Sequence, residues 1–394
     1  MSNLSTSSST IFWPLKGASD SQFKKLCHVL WEWEICDGCK IDQRCLSIRC
    51  PWQKRSLKLQ PFFRLYQKIT ASYMPEMHTT SNYALRTHED LFQIIQILKQ
   101  NPTTPRAHLT ATHFARRGYN SQPHPADQNR AFDLAVRAMT TVDCSIENQS
   151  GSDVLFWEDD KSFQELVRSI GSTKYYPVLA GDEERSLDPK EQLSAIRLKK
   201  SAHIKFRGTD DIKNHLRLEG KTVEIFHHTS ILKEHLRLTR YEHAKTSTDN
   251  SSCIDVIPRQ LALETLGSLQ EVLFPYGDID SHRCLKFLSS SSGIDQDCLM
   301  PNSEGSRRSD EKNVRYTYWG PRMRILLDEL ESPSPRGLQQ RWERISKQRH
   351  MMQAAVIGIM VTVLLGLMSL PLQIFQAWIS YQQMKYSIPP TGTT

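Results

Sequence analysis

The sequence predicts a mainly α-helical protein with a few short strands and one C-terminal transmembrane helix. Three observations predict it. The first is an apolar run near the end of the chain, AAVIGIMVTVLLGLMSLPL at residues 354–372, with no Asp, Glu, Lys or Arg between Arg349 and Lys385. At 1.5 Å of rise per residue it reaches roughly 28 Å, close to the ~30 Å hydrocarbon core of a bilayer. The second is a series of earlier segments whose apolar residues recur at helical spacing between recognisable caps. The third is composition. The 394 residues are 39% hydrophobic and 24% charged, an ordinary globular balance with one membrane segment added.

Residues 1–83 read as an N-terminal extension, Ser-rich, then Cys-rich and basic, and partly disordered. A short amphipathic helix within it carries Phe23, Leu26, Cys27 and Leu30 on one face. From Arg44 to Lys68 there are seven Lys or Arg and no acidic residue. Residues 71–83 read as a linker.

Residues 84–143 read as a three-helix unit. Thr87 caps a helix whose buried stripe is Leu91, Ile94, Ile95 and Leu98, and Asn101-Pro102 ends it. Thr104-Pro105 starts a second helix through Phe114, closed by Gly118. Pro125 starts a third, with Phe132, Ala135, Val136 and Met139 on one face.

Residues 144–252 are a mixed region. Short apolar pieces come first. A weak repeat follows, IKNHLRL at 212–218 and LKEHLRL at 232–238, flanking KTVEIFHH, which alternates like a strand. Helix–strand–helix is the simplest expectation. Residues 253–350 return to helix. Pro258 opens one to Leu273 with Ala262, Leu266, Leu269 and Leu273 inward. A Ser-rich loop covers 289–312, and 313–332 gives a strand-like piece and a helix. A basic juxtamembrane helix covers 338–350. The transmembrane helix is expected over 351–380, with a short tail at 381–394.

Neither a secretory signal nor an Arg-bearing presequence is legible at the N-terminus, so the apolar run is expected to target and anchor the chain, the tail-anchored arrangement. Arg336, Arg341, Arg344, Lys347 and Arg349 precede it and only Lys385 follows. That asymmetry places the bulk of the chain in the cytosol. The sequons at Asn3, Asn148 and Asn250 would then carry no glycan. Nine cysteines, an odd number, on the cytosolic side argue against a disulfide framework. The net charge of +7 suits anionic headgroups at least as well as nucleic acid.

The sharpest chemical pattern is Cys36-x2-Cys39-x5-Cys45-x4-Cys50. Four thiolates can hold one Zn²⁺ tetrahedrally, and Cys27-His28 could replace a ligand. The spacing departs from the fungal binuclear cluster, one residue short to Cys45 and lacking its last cysteines. Free cysteines in a basic segment are the first expectation, and a single zinc site at Cys36, Cys39, Cys45 and Cys50 the second.

Thr87 to Phe114 also has the layout of a helix-turn-helix, with Arg106, His108, Thr110, Arg116 and Arg117 on or past its second helix. A packing hairpin is the plainer expectation. His203, His215, His227, His228, His235 and His243 crowd one region. Spacing alone gives them no convergence, and His227 and His228 would face opposite sides of a strand. No phosphate-loop, dinucleotide, zincin or nucleophile-elbow motif occurs. Ala354, Gly358, Thr362 and Gly366 recur every four residues along one face of the membrane helix, a spacing that lets two such helices approach. Phe375, Trp378 and Tyr381 suit the far headgroup layer.

Several blocks, DLFQIIQILKQNPTTPRAHLTATHF, PADQNRAFDLAVRAMTTVDC, FRGTDDIKNHLRLEGKTVEIFHHTSILKEHLRLTR, IPRQLALETLGSLQEVLFP and YTYWGPRMRILLDELESPSPRG through FQAWISYQQMKY, resemble in order a large family of filamentous-fungal proteins. The resemblance covers about residues 84–386. It implies a single-pass membrane protein with a mostly helical cytosolic region. The family has no assigned biochemical activity, so no catalytic residue is carried over. The expectation is therefore a non-enzymatic, membrane-anchored interaction or scaffolding protein, able to pair through its membrane helix. The alternative is a membrane-tethered nucleic-acid-binding or regulatory protein using the Cys-rich basic module. An enzyme with a dispersed site comes third.

Overall fold

The structure, a computed structural model, describes residues 14–36, 39, 45, 50–74, 83–116, 122–144, 155–170, 193–240, 256–291, 293–300, 307, 308, 310, 311, 314–331 and 351–386. It is mainly helical with few strands. The chain forms two units, Met1–Glu331 and Ser332–Thr394.

In the first unit, α1 (Asp20–Trp31) starts at a capping box between Ser19 and Gln22 and ends at Glu32 in the left-handed region. The box satisfies two of the helix's orphan N–H donors. Its inward face is Phe23, Leu26, Cys27 and Leu30, as periodicity predicts. The basic stretch is folded as well. It forms α2 (Trp52–Arg55), a 3-10 turn (Ser56–Leu59) and α3 (Gln60–Ala71). Trp52, Phe62, Phe63, Tyr66 and Ile69 are buried while Lys58, Arg64 and Lys68 stay outside. Among the described residues, the basic side chains of this stretch thus lie on the outer side of short helical elements whose inner side is aromatic. Phe23 stacks on Phe63 with ring centroids 4.5 Å apart. The segment expected as a linker begins ordered, since Tyr73 is buried and donates to Asp127 Oδ1 at 2.6 Å. Residues 75–82 lie outside the described residues.

The next three helices are α4 (His88–Gln100), α5 (Arg106–Arg116) and α6 (Pro125–Thr140). Thr87 caps α4 through a capping box with Asp90, and the expected stripes of α4 and α6 are buried. They share one core with α1 and α3. Arg106, which the helix-turn-helix expectation leaves free for a partner, is buried. Its Nη1 donates to Trp157 O at 2.5 Å, and Asp133 Oδ1 lies 3.4 Å from its Nη2. Thr110 is buried too, so neither side chain is presented to DNA. Gly118 and Arg117 lie outside the described residues.

α7 (Phe163–Ser169) and α8 (Ala195–Ser201) lead into a three-stranded sheet of β1 (Lys205–Thr209), β2 (Leu218–Glu219) and β3 (Thr222–Phe226). The order is β1-β3-β2. β1 runs parallel to β3 with Phe206 opposite Val223, and β2 runs antiparallel to it. The first copy of the repeat is therefore not a helix. Ile212–Asn214 is a 3-10 turn capped by Asp211, and Leu216 sits at φ +59 so that His215 turns into the core. Only the second copy is helical, as α9 (Thr229–Leu238).

α10 (Arg259–Gly267) passes into a π-helical turn (Ser268–Leu273), which buries Leu269 and Leu273 as expected. α11 (Ile279–Ser291) enters the stretch read as a Ser-rich loop, and a 3-10 turn follows at Gln296–Leu299. Residues 314–319 form no strand. They lead into α12 (Gly320–Glu331) and are held chiefly by Glu264, with Gln260 Nε2 donating to Arg315 O and Trp319 Nε1 donating to Thr265 Oγ1. The Glu264 carboxylate is fully buried and accepts from Thr317 N at 2.7 Å, Tyr318 N at 2.7 Å and Trp319 N at 3.0 Å.

The second unit contributes α13 (Met351–Tyr386), with Pro371 inside it. Within it, Met360–Met384 is long and apolar enough to cross a membrane, at mean hydropathy 1.7. The juxtamembrane helix expected at 338–350 lies outside the described residues.

Candidate metal centre

The four cysteines come together. Cys36 and Cys39 form a tight turn, the Cys39 N–H reaching Cys36 O at 3.2 Å. Cys45 donates its backbone N–H to Gln53 Oε1 at 2.7 Å, which ties it to α2, and Cys50 stands just before that helix. The sulfurs of Cys36 and Cys45 are 3.3 Å apart, those of Cys39 and Cys50 3.8 Å, and all four lie within 4.8 Å of one another. Zinc bound to four thiolates at about 2.3 Å sets sulfurs about 3.8 Å apart. The cluster thus has the dimensions of a tetrathiolate site. Cys39 and Cys50 are buried, and Cys36 and Cys45 are half-buried.

The electrostatics fit a cation. Burial pushes the Cys39 thiol up to about 12, helped by hydrogen bonds with Cys45 and Cys50. Burial also raises Cys50, but backbone hydrogen bonds with Cys36 and Trp52 and the neighbouring thiols together bring it down to about 7. One thiol is thus ready to ionise while another resists, and a divalent cation removes that resistance by replacing the protons. Four thiolates around Zn²⁺ leave two negative charges. Lys24 lies over the Trp52 ring at 5.6 Å and donates to the Cys39 carbonyl, and the basic helices carry more positive charge. Cys27 and His28 do not join the set. Cys27 is fully buried in the α1 core, and His28 Nδ1 meets Trp33 O at 3.1 Å.

The histidines scatter. His215 is in the core, bonded to Ser268 Oγ at 2.7 Å, and His235 is buried on α9. His203 sits at φ +55, and His243 lies outside the described residues. His227 and His228 correct the sequence expectation. β3 stops at Phe226, so strand alternation no longer governs them, and their rings pack together 4.2 Å apart on the same carboxylate, Asp210. Strand pairing ends there, which spacing could not reveal. Ala354, Gly358, Thr362 and Gly366 all fall on α13 and keep their four-residue spacing in unbroken helix. Compared with known proteins, the chain matches no family model, no curated protein and no solved structure.

Proposed function

We propose that this is a single-pass membrane protein that acts by binding other proteins at the membrane surface, with a structural zinc at Cys36, Cys39, Cys45 and Cys50. The observation that supports it best is α13. No residue in the most apolar window of Met360–Met384 is buried, so bilayer is the medium that would cover it. The basic residues at 336–349 against Lys385 favour a cytosolic first unit. A tetrathiolate set uses every position of a tetrahedral metal, so it would organise chain and perform no chemistry itself. Ala354, Gly358, Thr362 and Gly366 would let two membrane helices pair.

Alkaline carbonate extraction of membranes carrying the full chain tests the anchor. The chain should stay in the pellet, and Leu364→Arg with Leu365→Arg should release it. Release of the parent chain overturns the reading. Crosslinking in native membranes then tests the binding role. Partners should be captured by the parent and lost with the released variant, and equal capture by both would detach the interaction from the membrane.

A further inference from the structure

Because β1 and β3 are parallel, their carboxyl ends lie side by side. Asp210 follows β1, His227 and His228 follow β3, and α9 starts at the next residue. His228 Nε2 lies 2.9 Å and His227 Nε2 3.4 Å from one oxygen, Asp210 Oδ1. Both rings are buried, and Asp210 is a third exposed. β1 makes room for them with Gly208. A Cβ there would stand 2.9 Å from His227 Cδ2.

The three side chains each offer one ligand atom, and these atoms all lie within 4.8 Å of one another. The Asp295 N–H reaches His227 Nδ1 only at 3.4 Å, while Asp295 Oδ2 is buried with no hydrogen-bond partner among the described residues. A buried acceptor left so is costly. A metal ion changes the tally. Nitrogen and oxygen ligands at about 2.1 Å sit about 3.0 Å apart on an octahedral edge and about 3.4 Å on a tetrahedral one. The separations here are 2.9 and 3.4 Å. Each ring would give its Nε2 lone pair and carry its proton on Nδ1. His227 would then give up the long contact that its Nδ1 accepts from the Asp295 N–H at 3.4 Å.

We propose that Asp210, His227 and His228 form a second metal site, separate from the cysteine cluster, for a borderline divalent cation, Zn²⁺ first. Two imidazoles and one carboxylate suit zinc, iron or cobalt better than the all-oxygen preferences of calcium and magnesium. Three protein ligands leave a position open for an oxygen or nitrogen donor from outside, which the cysteine site does not offer. Lys68 Nζ holds the other carboxylate oxygen, Asp210 Oδ2, at 2.9 Å from an exposed position. It leaves Oδ1 to the cation while its charge weakens binding.

The test is Co²⁺ titration of the full chain in detergent after chelation, followed by absorbance. The proposal expects one equivalent with no thiolate-to-cobalt charge transfer, beside any that shows it. Asp210→Asn should remove that equivalent and leave the thiolate band, which also reports that the chain remains folded. Lys68→Gln should tighten it several-fold. If the parent chain binds cobalt only with the thiolate band, the proposal is overturned, and that outcome needs no variant. Retention of the equivalent in Asp210→Asn overturns it as well.

Discussion

Glu264→Gln should cost this fold about as much as a core truncation, although it changes almost no volume. The carboxylate is fully buried on α10. Oε1 accepts from Thr317 N at 2.7 Å, Thr317 Oγ1 at 2.8 Å and Gln260 Nε2 at 3.1 Å, while Oε2 accepts from Tyr318 N at 2.7 Å and Trp319 N at 3.0 Å. Glutamine keeps one oxygen and replaces the other with an NH₂. In either orientation a donor then faces backbone donors that have no other acceptor in these contacts. Each hydrogen bond to a charged group is worth about 1.5–3 kcal/mol, so losing the Tyr318 and Trp319 pair removes about 3–6 kcal/mol before relaxation. With relaxation, we expect about 3–4 kcal/mol, a large share of the 5–15 kcal/mol typical of a folded domain. The assay is urea unfolding of the full chain in detergent, followed by tryptophan fluorescence, since Trp319 is buried in the affected segment. Thr317→Val removes only the hydroxyl bond to the same carboxylate and should cost about 1.5–3 kcal/mol. A Glu264→Gln chain within about 0.5 kcal/mol of the parent would refute the reasoning.

Three further outcomes are expected. Zinc analysis of the full chain should show Cys36→Ser with Cys50→Ser losing about one zinc relative to the parent, as one four-ligand site requires; equal metal content in both would count against the site. His215 is held down to about 3, by burial first and Arg322 second. The unfolded chain therefore takes up this proton at higher pH than the folded one. The neutral ring's contribution is fully present above about pH 6.5 and is lost as pH falls towards 3, by up to about 5 kcal/mol. His215→Gln should flatten the stability–pH curve across that window, and a slope identical to the parent's would contradict the burial argument. In a membrane-helix dimerisation assay on the full chain, Gly358→Ile and Gly366→Ile should each weaken pairing while Leu364→Ile does not; equal signals would leave α13 as an anchor alone.

Where local chemistry decides, the sequence was readable. Thr87 with Asp90 begins α4, Asn101 ends it, and Pro125 begins α6, because caps and proline act within a few residues. The cysteine site was half-legible. Four thiols were visible, but their irregular spacing converges only because Cys45 is tied to Gln53 and Cys50 abuts α2. Glu264, Arg106 and His215 were not legible as core residues. Each is a polar side chain buried against a partner about fifty residues away, Thr317–Trp319, Trp157 and Ser268 respectively. No periodicity records such a pairing. The false helix at 212–218 has the same origin, since His215 turns inward to bonds with Phe226 and Ser268 that the heptapeptide does not contain.

Glu234 on α9 accepts from Trp33 Nε1 at 3.2 Å and Arg55 Nη1 at 3.1 Å. Those residues lie 201 and 179 positions earlier in the chain. Contacts of such separation are slow to form, because the loop must close before the bonds reward it. During synthesis α1 and α2 leave the ribosome long before Glu234 exists. At about 5–20 residues per second, Trp33 and Arg55 wait roughly 10–40 seconds for this acceptor. The N-terminal helices can therefore pack on α3 early, but their attachment to α9 through Glu234 comes late.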